Sequence, residues 1–361
     1  MKYNQVYGRF SLGTGNWIKK SLFEKGKEDV YAPSVIDSYV KQVSLDLSRI
    51  KIEKELKNLS VMDVGTGRQS LAFYKLGAKK VTHYDISATN VKNFSQYTKL
   101  NNIPIKSFNV DICDSDFNGT NKFDFIYLQG IIQHVKNPYS AIKNLSDASK
   151  KGAKLWFYNY QAGPIQHLYA EALRKIIPRR IKYQNLTLKL KRSNFSLKNI
   201  DMIIDDLGCS YRNLIKNNSY KKTLNQFGFS RYFIKDVENQ NKGLDLRTKT
   251  LACISAYKKE NIVLNSVQAD LNELIHVNHF DPNNFIPSQR EFLKQVKVAL
   301  DLIIFKIKKH SLSHDQLFDI CMPLFKGLAL HDLNKPFDEN KRKLLTDFRY
   351  TSKLIESLFK N

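Results

Sequence analysis

Three carboxylates, a glycine turn and one histidine carry the chemistry that can be read from this chain. Asp63 lies within the run Val61-Met62-Asp63-Val64, and Gly65-Thr66-Gly67 follows at once. A Gly-x-Gly turn lets backbone N–H groups approach a ligand closely. Asp85 ends a second apolar run twenty positions after Gly65. A carboxylate at that spacing can accept both hydroxyls of an adenosine ribose. Asp111 closes a third run and His134 follows a fourth. A histidine near a reacting hydroxyl can take its proton as general base, and a histidine there can equally be a structural cap.

Placing these groups takes a regular alternation of strands and helices. Val61, Met62 and Val64 read as a short buried parallel strand, and a helix pattern runs from about Gln69 to Leu76. Strand, glycine turn and helix form the first half of a nucleotide-binding βαβ unit. Lys80–Asp85 is the next strand, and Ser87 caps a helix that Asn101, Asn102 and Pro104 end near Leu100. Ile105–Val110, Phe123–Leu128 and Leu155–Tyr160 are three further strands, with a helix over Ala141–Ser149 between the last two. Five alternating strands argue for an α/β, doubly wound parallel sheet. An amphipathic helix from Ser34 to about Leu56 precedes it.

With these residues in view, the chain resembles the class I S-adenosylmethionine-dependent methyltransferases, and among them the small-molecule, type 11/12-like members. Their first motif reads apolar-apolar-acidic-apolar-Gly-x-Gly-x-Gly, and Val61–Gly67 match it position by position; Gln69 stands in place of the third glycine. The stretch Gln129-Gly130-Ile131-Ile132-Gln133-His134 followed by Asn137-Pro138 resembles the fourth-strand region of the family. "Leu-x-x-Phe-Gly-Phe" at 224–229 and the strand Thr250–Tyr257 look like its final helix and closing hairpin. The resemblance implies a Rossmann-like, seven-stranded sheet and S-adenosylmethionine as cofactor. Asp63, Gly65, Thr66, Gly67, Gln129 and Gly130 would surround the methionine part. Asp85, with Ile86 beside it, would bind ribose, and Asp111 and Ile112 would bracket adenine. A dehydrogenase is the rival use of such a fold, but position 70 is serine, which breaks Gly-x-Gly-x-x-Gly.

The acceptor is less legible. No Asn/Asp-Pro-Pro-Tyr/Phe follows the fourth strand and no cysteine stands in a Pro-Cys motif, which disfavours adenine amino and cytosine C5 methylation. His134 is the candidate catalytic base for a hydroxyl acceptor, and Tyr158, Tyr160, His167 and Tyr169 are candidates for lining its pocket. The formal charge of +24 favours an anionic partner or reflects a Lys/Asn-rich composition. Three function classes follow: a methyltransferase for a small-molecule or glycan-like acceptor, expected at oxygen ahead of nitrogen or carbon; an RNA methyltransferase using the basic surface, not favoured; and a non-catalytic cofactor-binding protein.

Around that domain, residues 1–33 read as an N-terminal arm and 34–258 as the methyltransferase domain. Residues 161–200 read as a lid insertion, with eight Lys/Arg and no Asp/Glu between Arg174 and Arg192. Residues 259–361 read as a helical appendage, with helices over Leu271–Val277, Phe292–Ile307 and Lys341–Phe359 separated by Pro282, Pro287, Pro323 and Pro336. No run of ~18 apolar residues predicts a membrane span, and the first thirty residues lack a signal-peptide apolar centre. Cys113, Cys209, Cys253 and Cys321 contain no C-x-x-C and read as reduced core thiols of a cytoplasmic protein. His276, His279 and Asp281 match no metal-ligand spacing, so no metal is expected.

Overall fold

The computed structural model describes residues 31–115, 117, 122–160, 165–177, 183–195, 217–236, 251–259, 287–308 and 312–329, with scattered positions between 200 and 215 and residue 353. Most of the expected N-terminal arm, the helix expected over 271–277, all but residue 353 of the helix expected over 341–359, and His276, His279 and Asp281 lie outside the described residues.

The strands are β1 (Ser60–Val64), β2 (Lys80–Asp85), β3 (Lys106–Asn109), β4 (Phe123–Gln129), β5 (Ser149–Tyr160), β6 (Phe229–Asp236) and β7 (Leu251–Lys258). They form a seven-stranded sheet in the order β3-β2-β1-β4-β5-β7-β6. β1 to β5 pair in parallel, and β7 runs antiparallel to both β5 and β6. The expected α/β, doubly wound seven-stranded sheet is therefore present, closing hairpin included. The strand order reverses between β1 and β4, so the ligand crevice belongs beyond their carboxyl ends.

Helices cover both faces: α1 (Pro33–Arg49), α2 (Arg68–Lys75) and α3 (Ala88–Leu100) on one, α4 (Pro138–Ala148) and α7 (Asn217–Gln226) on the other, with α5 (Ile165–Ile176) and α6 (Tyr183–Arg192) between them in sequence. Their starts follow local chemistry. Ser87 Oγ accepts from the Asn90 N–H at 3.3 Å, and Asn137 Oδ1 accepts from the Ser140 N–H at 3.1 Å with Pro138 at the first helical position.

Period-two alternation separates the two faces. Met62, Val64, Ile126, Leu128, Leu155 and Phe157 pack under α4 and α7. The opposite face carries a lateral row in strand register: Ser107, His83, Asp63, Tyr127, Trp156 and Ser255. This row is unusually polar for a buried layer, and it runs beneath the glycine turn. Tyr127 and Trp156 lie nearly parallel, their ring centroids 6.4 Å apart, and Phe73 of α2 meets Tyr127 edge-on at 5.2 Å.

A third apolar cluster lies apart from the sheet. Tyr169, Leu173 and Ile176 of α5 and Leu186 and Leu190 of α6 share it with two C-terminal helices, α8 (Pro287–Lys308) and α9 (His314–Ala329). The helix expected over Phe292–Ile307 thus starts earlier, with Pro287 in a position that needs no N–H donor. Pro323, expected to separate helices, lies inside α9 instead. A mid-helix proline costs about 3 kcal/mol, and the buried stripe Leu317, Phe318, Ile320, Cys321, Leu324 and Phe325 outweighs it by packing. Among the described residues no helix is long and apolar enough to cross a membrane.

Candidate functional site

A cavity of about 420 Å³ opens at the carboxyl ends of β1, β2 and β4. Of the eleven expected site residues nine line it: Gly65 and Thr66, Asp85 and Ile86, Asp111 and Ile112, Gln129 and Gly130, and His134. Asp63 and Gly67 do not line it; Asp63 lies in β1 beneath the turn and Gly67 closes the turn at the start of α2.

Gly67 caps α2 in the left-handed region at φ +86°, and a Cβ there would stand 2.6 Å from the Phe94 ring. Both facts require glycine. Asp63 is fully buried and accepts from Ser70 Oγ at 2.6 Å, so it braces the first turn of α2. Its other oxygen, Oδ1, is buried with no hydrogen-bond partner, and burial pushes the carboxyl up to about 7.

The turn is held from the neighbouring strand as well. The Gly65 N–H donates to the Tyr84 carbonyl at 2.9 Å, and the Gly65 carbonyl lies 2.5 Å from Nε2 of His83. Burial depresses His83 to about 4, so the ring is neutral. A carbonyl only accepts, so Nε2 carries the proton and Nδ1 accepts from Ser107 Oγ.

Asp85 faces the cavity with both oxygens engaged by protein. Oδ1 accepts from the Ser87 N–H at 2.7 Å and Oδ2 from Asn90 Nδ2 at 2.8 Å. Burial raises this carboxyl to about 7 against those two bonds, with the neighbouring Asp63 adding to the rise. Each oxygen keeps a second acceptor site, so the group can take two hydroxyl donors at fixed spacing. Asp111 Oδ1 accepts from the Cys113 N–H at 2.8 Å, which sets the loop that carries Ile112.

Beyond β4 the chain turns at Gly130, where φ is +66° and a Cβ would approach the Tyr158 ring to 3.1 Å. His134 ends a short 3-10 turn, and its Nδ1 lies 3.1 Å from the Tyr211 carbonyl oxygen. That contact assigns the proton to Nδ1 and makes Nε2 the basic nitrogen. The 211–213 segment is tied to the same turn, because Asn213 donates to the Gln133 and Val135 carbonyls at 2.6 and 2.8 Å. Arg174 of α5 in turn donates to the Cys209 carbonyl at 2.7 Å, and Cys209 lines the cavity beside His134. Within the basic run, Arg174 thus engages backbone carbonyls and the Glu171 carboxylate, and Lys189 pairs with Asp315 over the Phe318 ring.

Several contributors were not anticipated. Tyr39 and Gln42 of α1 form one wall, and the Arg68 guanidinium stacks over Tyr39 at 4.9 Å while its Nε donates to Thr66 Oγ1. Asn90 could have been found from its place one turn into a capped helix. His83 reads only as a strand residue, and nothing local to Cys209 marks it for the cavity. Cys321 is a core thiol as expected, whereas Cys113 and Cys209 are partly exposed. Tyr169 is buried in the third cluster, while Tyr158 lines the cavity; the side chains of Tyr160 and His167 lie outside the described residues. Among the described residues no cluster of His, Cys, Asp and Glu could hold a metal ion.

Residues 62–157 match the model of a family described as a methyltransferase domain. Over 74 residues the chain is 42% identical to a candidate protein N5-glutamine methyltransferase of Methanocaldococcus jannaschii, covering 20% of this chain and 36% of that one. The chain thus spans about a third of the length of that curated relative. Solved structures with partial similarity include the N-methyltransferase NodS of Bradyrhizobium japonicum in complex with S-adenosyl-L-homocysteine, at 13% identity and TM-score 0.38, covering 68% of this chain and 99% of that one. An S-adenosylmethionine-dependent methyltransferase of Mesorhizobium loti aligns at 14% identity and TM-score 0.39, over 55% and 90%.

Proposed function

We propose that residues 62–157, which match a methyltransferase-domain family, form a class I S-adenosylmethionine-dependent methyltransferase domain, and that this chain methylates a small-molecule or glycan-like acceptor at oxygen. The cofactor, when bound, supplies a methyl group on a positively charged sulfur. The residues present suit it. Gly65 and Thr66 line the cavity where the methionine part would lie, Asp85 would offer two acceptor oxygens to ribose, and Ile112 would offer an apolar edge to adenine.

The observation that carries the acceptor reading is the tautomer of His134. Its Nδ1–H is committed to the Tyr211 carbonyl, so Nε2 is the basic nitrogen of a residue on the cavity wall. A neutral imidazole held that way accepts a hydroxyl proton as the oxygen gains a methyl, which contributes about 10²–10⁴ in rate. Alignment of acceptor and donor supplies the remainder, since transfer is an in-line displacement. The helices α5 and α6 act as part of a lid over the acceptor, and α8 and α9 support them through the apolar cluster that they share. The net charge of +24 favours an anionic acceptor through long-range attraction.

Calorimetry with S-adenosylhomocysteine and NAD tests the cofactor assignment: binding of the first without the second is expected. Methyl-labelled cofactor offered to a panel of hydroxylated, carboxylated and amino acceptors tests the rest. Labelled O-methyl product is expected, and label found only on amines or RNA overturns the oxygen reading.

A further inference from the structure

The end of the sheet opposite the cavity carries a band of lysines. β1 to β5 run in parallel, so the segments that lead into them gather at one end. Lys57 precedes β1, Lys79 precedes β2 and Lys80 begins it. Lys99, in the last turn of α3, and Lys106, the first residue of β3, flank the turn between them, and Lys151 lies in the first residues of β5. All six side chains are exposed.

Charge does not cancel there. Glu55 is engaged by Lys154 at 3.3 Å, Asp124 by Lys150 at 2.9 Å and Asp147 by Lys143 at 2.8 Å. Among the described residues none of the six lysines has an ion pair, and Glu53 is the exposed carboxylate left to offset them. Like charges on neighbouring segments repel one another and attract a partner whose negative charges repeat closely. An aromatic face lies in the same region: Tyr74, in the last turn of α2, is 41% exposed. Cations that track a phosphate backbone beside a ring on which a base stacks are how proteins hold a single nucleic-acid strand. A membrane surface calls instead for an apolar stripe along one helix, and here the exposed Tyr74 and Leu100 sit on different helices, α2 and α3.

We propose that this end of the sheet docks single-stranded nucleic acid, with phosphates held by Lys79, Lys80, Lys99 and Lys106 and a base stacked on Tyr74. The cavity lies at the carboxyl ends of the strands, the full length of the five-residue β1 away. At ~3.3 Å per residue that is roughly 17 Å. The cavity wall also carries Asp85 and Asp111, which repel phosphate. The strand is thus held as a tether on a surface separate from the cavity, and the inference stands apart from the acceptor proposed above.

Fluorescence anisotropy of labelled oligouridylate and oligothymidylate over a salt series tests it, the two probes separating RNA from DNA as the source of the strand. Wild-type protein should bind at least one, and more weakly as salt rises. Lys79→Gln, Lys80→Gln, Lys99→Gln and Lys106→Gln combined should make the slope of log K against log salt shallower by about 3, four phosphate contacts at about 0.7 each. Tyr74→Ala should weaken binding about fivefold or more and leave the slope unchanged, because stacking carries no charge. A control variant with the exposed Lys41, Lys92, Lys136 and Lys175 changed to glutamine should keep the wild-type slope. Equal loss in the two fourfold variants means attraction to overall charge and overturns the inference, as does an absence of binding. Unchanged affinity in Tyr74→Ala overturns it as well, and so does tighter association with phosphatidylserine vesicles than with either oligonucleotide at the same salt. Should the fourfold variant fail to fold, Lys79→Gln with Lys80→Gln should still shift the slope by about 1.4, and no shift overturns the inference. None of these readings depends on the cofactor assignment, which calorimetry tests separately.

Discussion

Nε2 of His83 meets the carbonyl oxygen of Gly65 at 2.5 Å, and this contact joins the middle of β2 to the turn that shapes the cofactor end of the cavity. His83→Leu removes the donor and leaves the Gly65 carbonyl without it. A buried acceptor stripped of its partner costs about 1–3 kcal/mol. The variant is expected to unfold at lower urea by that amount and to bind S-adenosylhomocysteine more weakly. The acid limb should also change. His83 is held neutral with its pKa lowered from 6.5 to about 4, so its contribution is present above pH 6.5 and is lost as pH falls toward 4. His83→Leu should lose less stability than wild type across that window.

Asp63 acts in the opposite sense. Its pKa in the fold is raised from 3.8 to about 7, so the protein takes up a proton there on folding. The associated stability is present below about pH 4 and is lost as pH rises through 7. Asp63→Asn keeps an oxygen for Ser70 and carries no charge. It should narrow the stability difference between pH 5 and pH 8 by on the order of 1–3 kcal/mol, read from urea melts at the two pH values. An unchanged difference would mean that the charged form is solvated by a route the fold does not reveal.

What could and could not be read in advance divides by sequence distance. β1, the glycine turn and Asp85 are contiguous or lie at fixed spacing within one βαβ unit, and local pattern places them. The closing strand β7 was legible through family resemblance. The contacts that orient the site are long-range: His83 to Gly65, and His134 to Tyr211 across 77 positions. Only the sheet register and the packing of the 211–213 segment bring those pairs together. Asp63 shows the limit of a motif: it was expected around the methionine part, but its carboxyl is buried against Ser70 and does not line the cavity. Pro323 shows the same limit for propensity, which tertiary packing overrode.

Asp85 should make cofactor binding pH-dependent. The group must be ionised to accept from ribose hydroxyls, and burial raises it to about 7. Affinity for S-adenosylhomocysteine is therefore expected to rise as pH goes from 6 to 8 and then level off. Asp85→Ala should cost about 1–3 kcal/mol of binding at pH 8 and flatten the profile between pH 6 and 8. Calorimetry at a series of pH values checks both, and a slope that survives in the variant would assign it to another group.

The last expectation concerns His134. Its Nδ1 is anchored to the Tyr211 carbonyl, and the segment carrying that carbonyl is fastened to the same turn by Asn213. The imidazole is thus oriented by the loop that Arg174 ties to α5. Removing the ring should act on the proton-transfer step and spare the end of the cavity lined by Asp85 and Asp111, proposed above for the nucleoside. For an acceptor identified from the panel, His134→Ala should lower turnover by roughly 10²–10⁴ with cofactor affinity changed less than about threefold. Asn213→Ala, which loosens the anchor and leaves the ring in place, should give a smaller loss in the same direction. If His134→Ala turns over at a near-normal rate, the histidine is a structural cap of its turn, and orientation of the acceptor alone accounts for the rate.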